Sequence, residues 1–160
     1  MFELLTQQSL RSSKTHKDIV CRLDSEHSRA LTNFFVLVHE LNRCDDALET
    51  ASSIPDSSIN GVAPVAFQIG SCLGSCGIFP EAEKYLKMAV QLKPHNAVYH
   101  TNLGVLYQRW ARYELAEKSY LKALALGGDR GSTLFNLKLI QENLNRTRTG
   151  AKQAYSIFPS

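Results

Sequence analysis

Three observations in the amino-acid sequence predict an all-α fold, an α-solenoid of stacked antiparallel helix pairs. First, residues 97–130, AVYHTNLGVLYQRWARYELAEKSYLKALALGGDR, repeat the layout of the 34 residues before them, 63–96, without a gap. Leu103 falls on Ile69, Gly104 on Gly70, Tyr107 on Leu73, Ala116 on Ala82, Tyr120 on Leu86, Ala123 on Ala89, Leu124 on Val90 and Leu126 on Leu92. Second, small residues at Gly104, Ala116 and Ala123 stand among larger apolar ones, as two closely crossing helices require. Third, each unit is broken midway by a short turn, Cys76-Gly77-Ile78 in one and Trp110-Ala111-Arg112 in the other.

Taken in order, residues 1–27 form a poorly defined N-terminal segment. Its apolar runs, Phe2 to Leu5 and Ile19 to Leu23, flank the polar stretch SLRSSKTHKD. One or two short helices are expected there, the second near residues 16–25 and lying against the first repeat. The helical repeat domain follows over residues 28–145. A degenerate unit spans 28–61, with ALTNFFVLVHEL as its first helix and DDALETASSI as its second. Asn42-Arg43-Cys44 makes the turn between them. Ala47 corresponds to Ala82 if one extra residue is allowed in the connection. PDSSINGVAP breaks the helix and is longer than the other links, so local mobility is expected.

In the unit 63–96, Gly77 can adopt the left-handed conformation that ends a helix. Pro80 suits the first turn of the next helix, and Glu81 and Glu83 complement its positive end. Lys93-Pro94-His95-Asn96 stops that helix and supplies an N-cap for the following one. After the unit 97–130, STLFNLKLIQENLN begins a further repeat: Phe135, Asn136 and Leu137 fall 34 residues after Thr101, Asn102 and Leu103. Its partner helix is missing, so residues 132–145 read as a terminal cap. Leu134, Leu137, Ile140 and Leu144 cover the stack, while Lys138, Gln141 and Asn145 face water. Residues 146–160 lack an apolar stripe and are expected to form a flexible tail, disordered or only partly helical.

The 160 residues are 44% apolar, enough for a core if helices stack. A formal net charge of +3 is too mild to argue for nucleic acid or an acidic membrane surface. The first residues hold no uninterrupted apolar run of even seven, which predicts neither a secretory signal nor membrane insertion and makes a cytoplasmic location the expectation. Of the cysteines Cys21, Cys44, Cys72 and Cys76, the last three fall at helical positions and read as reduced, small core residues.

The repeat resembles the tetratricopeptide repeat. That family's pattern is met here as His100-x2-Leu103-Gly104-x2-Tyr107 with Ala116-x3-Tyr120, and in the earlier unit as Ala66-x2-Ile69-Gly70-x2-Leu73, Ala82-x3-Leu86 and Pro94. Ala66 and His100 replace the usual Trp, Ala111 the turn glycine and Gly128 the closing proline. The resemblance implies a right-handed superhelix whose first helices line a concave groove, and a protein or peptide partner held in it.

At the sixth place of each unit stand Asn33, Gln68, Asn102 and Asn136. A side-chain amide both donates and accepts, so such a row can pair with an extended peptide backbone without reading its sequence. The row is similar to the asparagine ladders of O-linked N-acetylglucosamine transferase and kinesin light chains. Phe67, Thr101 and Phe135 precede it by one place, Ser71, Val105 and Leu139 follow by three, and Arg109 lies further along. The candidate peptide-binding set is therefore Asn33, Phe67, Gln68, Ser71, Thr101, Asn102, Val105, Arg109, Phe135 and Asn136, a neutral, partly apolar surface suited to a peptide with one or two hydrophobic anchors. Packing of Phe67 and Phe135 against neighbouring helices is the competing reading. The chaperone C-terminal carboxylate clamp is argued against, because its places carry Phe67, Ser71, Asn102, Ser132 and Asn136, with no cation.

Enzyme chemistry finds little support. The five histidines are scattered, and His100 reads as a packing residue. Cys72 and Cys76 have no second pair at zinc spacing, so no metal is expected, and no glycine motif cradles phosphate, so no cofactor is expected. Asn145-Arg146-Thr147 matches a glycosylation acceptor that matters only in a secretory compartment. The predicted function is a non-enzymatic interaction module or adaptor; the alternative is a docking or substrate-recognition segment of a larger enzyme system such as a glycosyltransferase. Its ends could also serve an oligomer or larger assembly.

Overall fold

The computed structural model describes residues 25–55, 59 and 62–156, with side chains described over 28–55, 59 and 62–146. The helices expected within residues 1–24 lie outside these, as do residues 56–58 and 60–61 of the link for which mobility is expected. All regular structure among the described residues is helical: α1 (Ser25–Glu40), α2 (Cys44–Ser53), α3 (Ala63–Ser75), α4 (Phe79–Leu92), α5 (Ala97–Arg109), α6 (Tyr113–Ala125) and α7 (Arg130–Ser156). The chain divides into two compact units, Met1–Leu92 and Lys93–Ser160.

In the first unit α1 packs on α2 and α3, and α3 packs along α4. The α3–α4 crossing depends on Gly70. A Cβ placed there would lie 2.7 Å from Leu86 Cγ and 2.9 Å from the Leu86 backbone nitrogen, so no larger residue fits without parting the helices. Leu31, Phe35, Ala47, Ile69, Leu73, Ala82 and Leu86 are all buried around this crossing. The Tyr85 hydroxyl donates to the Ala51 carbonyl at 2.8 Å, tying α4 to α2 with a buried hydrogen bond.

The second unit repeats the arrangement. A Cβ on Gly104 would meet the Tyr120 ring at 2.7 Å, and Tyr120 itself is fully buried, with its hydroxyl donating to Gln108 Oε1 at 2.7 Å. Asn96 caps α5 by accepting from the Val98 amide at 3.0 Å. Asp129 performs the same service for α7: it accepts from the Ser132 hydroxyl and from the amides of Ser132 and Gly131, and these bonds, the hydroxyl's first, hold its carboxyl below the usual range.

One backbone device recurs at all three mid-repeat turns. Asn42, Gly77 and Ala111 have φ of 54°, 79° and 57°, and in each case the residue after the left-handed one donates its amide back to a carbonyl of the preceding helix. Gly77 therefore does what its sequence position requires. Ala111 does so with a Cβ that opposes the conformation.

Three sequence expectations are corrected. Cys44 and Cys76 are joined by a disulfide, Cα to Cα 5.6 Å, while Cys72 is free and buried, its thiol pKa pushed up by desolvation. The reading as reduced core residues fails because Cys44 opens α2 and Cys76 closes α3. Both therefore sit at turns, and packing of α1 and α2 on α3 sets successive turns side by side. Second, the terminal helix does not end at residue 145 but continues to Ser156. Extending an existing helix needs no new nucleus, and Ala151, Lys152, Gln153 and Ala154 are good helix formers, so Gly150 costs only about 1 kcal/mol. Third, the buried stripe of α7 is Thr133, Leu137, Ile140 and Leu144, and Leu134 is 49% exposed. Lys138, Gln141 and Asn145 are exposed, as the cap reading expects.

Candidate peptide-binding surface

The predicted set divides between the two units. Asn33 on α1 and Phe67, Gln68 and Ser71 on α3 belong to the first; Thr101, Asn102, Val105 and Arg109 on α5 and Phe135 and Asn136 on α7 belong to the second. In the first unit Asn33 is exposed, whereas Phe67 and Gln68 are half-buried. Ser71 Oγ is buried without a hydrogen-bond partner among the described residues.

The second unit presents a different face. Residues 98, 101, 102, 105 and 109 follow helical spacing and share one side of α5. Val98 is 56% exposed and Val105 is on the boundary of exposure, while Leu103, Leu106 and Tyr107 are buried on the other side. On α7 the corresponding residues are Phe135, 71% exposed, and Leu139, with Asn136 half-buried beside them. Among the described residues Phe135 packs against no neighbouring helix closely enough to be covered. Both α5 and α7 pack on α6, and a Cβ on Gly128 would lie 3.1 Å from Ala97 Cβ, so the start of α5 sits against the turn that leads into α7.

The hydrogen bonds of this face are local. Asn102 Nδ2 donates to the Val98 carbonyl at 3.0 Å and Thr101 Oγ1 to the Ala97 carbonyl at 3.1 Å. The amide of Asn102 is thus oriented by its own helix, leaving its Oδ1 as an acceptor for an incoming N–H. Val98 was not among the residues singled out in the sequence; its position one turn before Asn102 and two before Val105 is the signal that identifies it.

The remaining candidates resolve into structural roles. His100 is buried with Nε2 2.9 Å from the Pro94 carbonyl, a bond that ties α5 to the loop before it. Cys76, spent in the disulfide, cannot join Cys72 as a zinc ligand. Among the described residues no group of three His, Cys, Asp or Glu could hold a metal ion. The recess lined by Leu48, Ala51, Ile54, Leu73 and Tyr85 encloses ≈ 180 Å³, below the roughly 300–1,000 Å³ of small-molecule sites. No helix among the described residues is long and apolar enough to cross a membrane.

The sequence pattern of the family described as Tetratricopeptide repeat matches residues 97–126, which are α5, α6 and the turn between them. Residues 97–126 are a tetratricopeptide repeat. It is similar to a protein O-mannosyl-transferase of Caenorhabditis elegans, with 36% identity over 113 residues, covering 68% of this chain and 16% of that protein. It is also similar to the protein O-mannosyl-transferase TMTC4 of Mus musculus, with 37% identity over 60 residues, 38% of this chain and 8% of the relative. The chain therefore spans less than a fifth of the length of either, and the matches fall on tetratricopeptide repeats, not on a catalytic domain. The chain is a tetratricopeptide-repeat module.

Proposed function

We propose that this chain holds an extended segment of a partner protein against the faces of α5 and α7, and that it performs no catalysis of its own. The observation that carries the reading is Phe135. A phenylalanine 71% exposed in the second turn of α7, with Leu139 one turn on and Val98 and Val105 on the equivalent face of α5, is an apolar strip awaiting a cover. Asn102 and Asn136 provide amides along the same strip to pair with a peptide backbone, so hydrophobic side chains would be anchored while main-chain groups stay hydrogen-bonded. The absence of a cation from the carboxylate-clamp places makes an internal peptide segment a better fit than a free chain terminus.

The two similar O-mannosyl-transferases favour a second reading of context, compatible with the first: the module would be the docking part of a larger glycosyltransferase and would present segments of polypeptide substrate to it. A soluble adaptor role requires the chain to act apart from such an enzyme. Selection of a randomised peptide library on the chain, followed by titration of the selected peptides, tests the binding claim. Recovery of peptides with one or two apolar anchors whose affinity falls in Phe135→Ala supports it; affinity unchanged in that variant refutes the assigned surface.

A further inference from the structure

We propose that Asn145 is an N-glycosylation acceptor and that this chain matures in an oxidising compartment where disulfide formation and glycan transfer both occur. The proposal does not depend on the peptide surface. Two separate features carry it.

The first is the Cys44–Cys76 disulfide. Cytosolic thiol buffers keep such pairs reduced, whereas extracellular and secretory compartments preserve them. Bridging the two turns removes two electrons and two protons from the thiols, and a disulfide oxidant of that compartment is reduced in exchange. The expectation of a cytoplasmic chain rested on the first residues alone, and the bridge argues the other way.

The second is the triplet Asn145-Arg146-Thr147. It satisfies the Asn-X-Ser/Thr rule with a residue other than proline in the middle, and none of the other seven asparagines of the chain does so. Asn145 is exposed on α7, directly after the buried Leu144. It follows Asn136 by nine residues, which at 3.6 residues per turn is about 180° around the helix. A glycan on Asn145 therefore projects away from Asn136, and stands about 120° round the helix from Leu139 and about 80° from Phe135. Transfer would occur on the nascent chain before α7 forms. The Asn145 amide nitrogen attacks the anomeric carbon of a lipid-pyrophosphate-linked oligosaccharide, an N–C bond forms, the C–O bond to the pyrophosphate breaks, and the amide proton and lipid pyrophosphate leave.

The test uses the protein expressed from its own locus with its natural flanking sequence and an epitope tag, purified with thiols blocked. Peptide-N-glycosidase digestion in heavy-oxygen water is followed by mass spectrometry, and an unreduced digest locates the cysteines. The expected result is a heavy-oxygen-labelled aspartate at position 145, a single mobility step lost in Asn145→Gln and Thr147→Ala but kept in Thr147→Ser, and a linked Cys44–Cys76 peptide pair. Unmodified Asn145 overturns the proposal: with the bridge intact it rejects the acceptor, and with both cysteines alkylated as free thiols it rejects the compartment as well.

Discussion

Removing the Cys44–Cys76 bridge should destabilise the first unit by several kcal/mol. The cysteines are separated by 32 positions, a loop that contains α2, the connection and α3. Closing a loop of that length in the unfolded chain corresponds to about 3.7 kcal/mol at 25 °C in the chain-entropy treatment. The bridge also fixes the start of α2, where Arg43 at the N-cap makes no side-chain capping hydrogen bond and pairs instead with Asp46. The perturbation is Cys44→Ala together with Cys76→Ala, so that neither partner of the bridge is left as a lone thiol, while the buried Cys72 is kept. Urea unfolding followed by far-ultraviolet circular dichroism should show the midpoint lowered by more than about 1 M, since m for a domain of this size is about 1–3 kcal/mol per M. Wild-type protein in strong reductant should shift to the same midpoint. If the double variant unfolds at the wild-type midpoint with an unchanged slope, the bridge does not constrain the chain and the correction of the cysteine assignment is wrong.

The left-handed turn at Ala111 predicts that Ala111→Gly raises stability by about 1 kcal/mol, because glycine adopts φ of 57° without a Cβ clash, measurable as a higher melting temperature; an unchanged or lower value would show the turn is not under strain. Gly104→Leu should cost about 1–3 kcal/mol or more by overpacking the crossing at Tyr120, and a stable variant would mean that α5 and α6 do not approach as closely as the structure has them. Burial pushes the Tyr120 hydroxyl up to about 12. An acid whose pKa is raised by folding stabilises the fold below its unfolded value near 10 and loses that contribution as pH rises through 12. Unfolding midpoints should therefore fall across that window, and fall less steeply in Tyr120→Phe; identical slopes would remove Tyr120 as the cause.

Much of this architecture was legible because the physical determinants are local. Gly70 and Gly104 announce the close crossings, Gly77 and Asn96 the helix ends, and the 34-residue register places every helix of the two clear units. The exposed strip was legible in part: Thr101, Asn102, Val105 and Phe135 follow from register and helical spacing, but Val98 was overlooked because its exposure depends on what α5 packs against. The disulfide was not legible for a related reason. Cys44 and Cys76 belong to different repeats, and only the packing of α1 and α2 on α3 brings the two turns to 5.6 Å. Assigning each cysteine by its helix alone puts it in a core it does not enter. Likewise, the length of α7 is set by propagation from a helix already anchored by Leu137, Ile140 and Leu144, not by any apolar stripe in the residues that extend it.

The central claim, that the amides and apolar residues of α5 and α7 form the peptide-binding surface, is tested most directly by fluorescence anisotropy titration of a selected peptide into wild-type protein and the Asn102→Ala/Asn136→Ala variant, with melting curves of both recorded in parallel. The account predicts nearly coincident melting curves, since these amides lie outside the buried core, and binding weakened by more than about 1 kcal/mol, roughly fivefold in Kd. Equal affinity would place the peptide elsewhere on the chain, and a variant that loses its helical structure would show that the two asparagines hold the fold together and do not serve a partner.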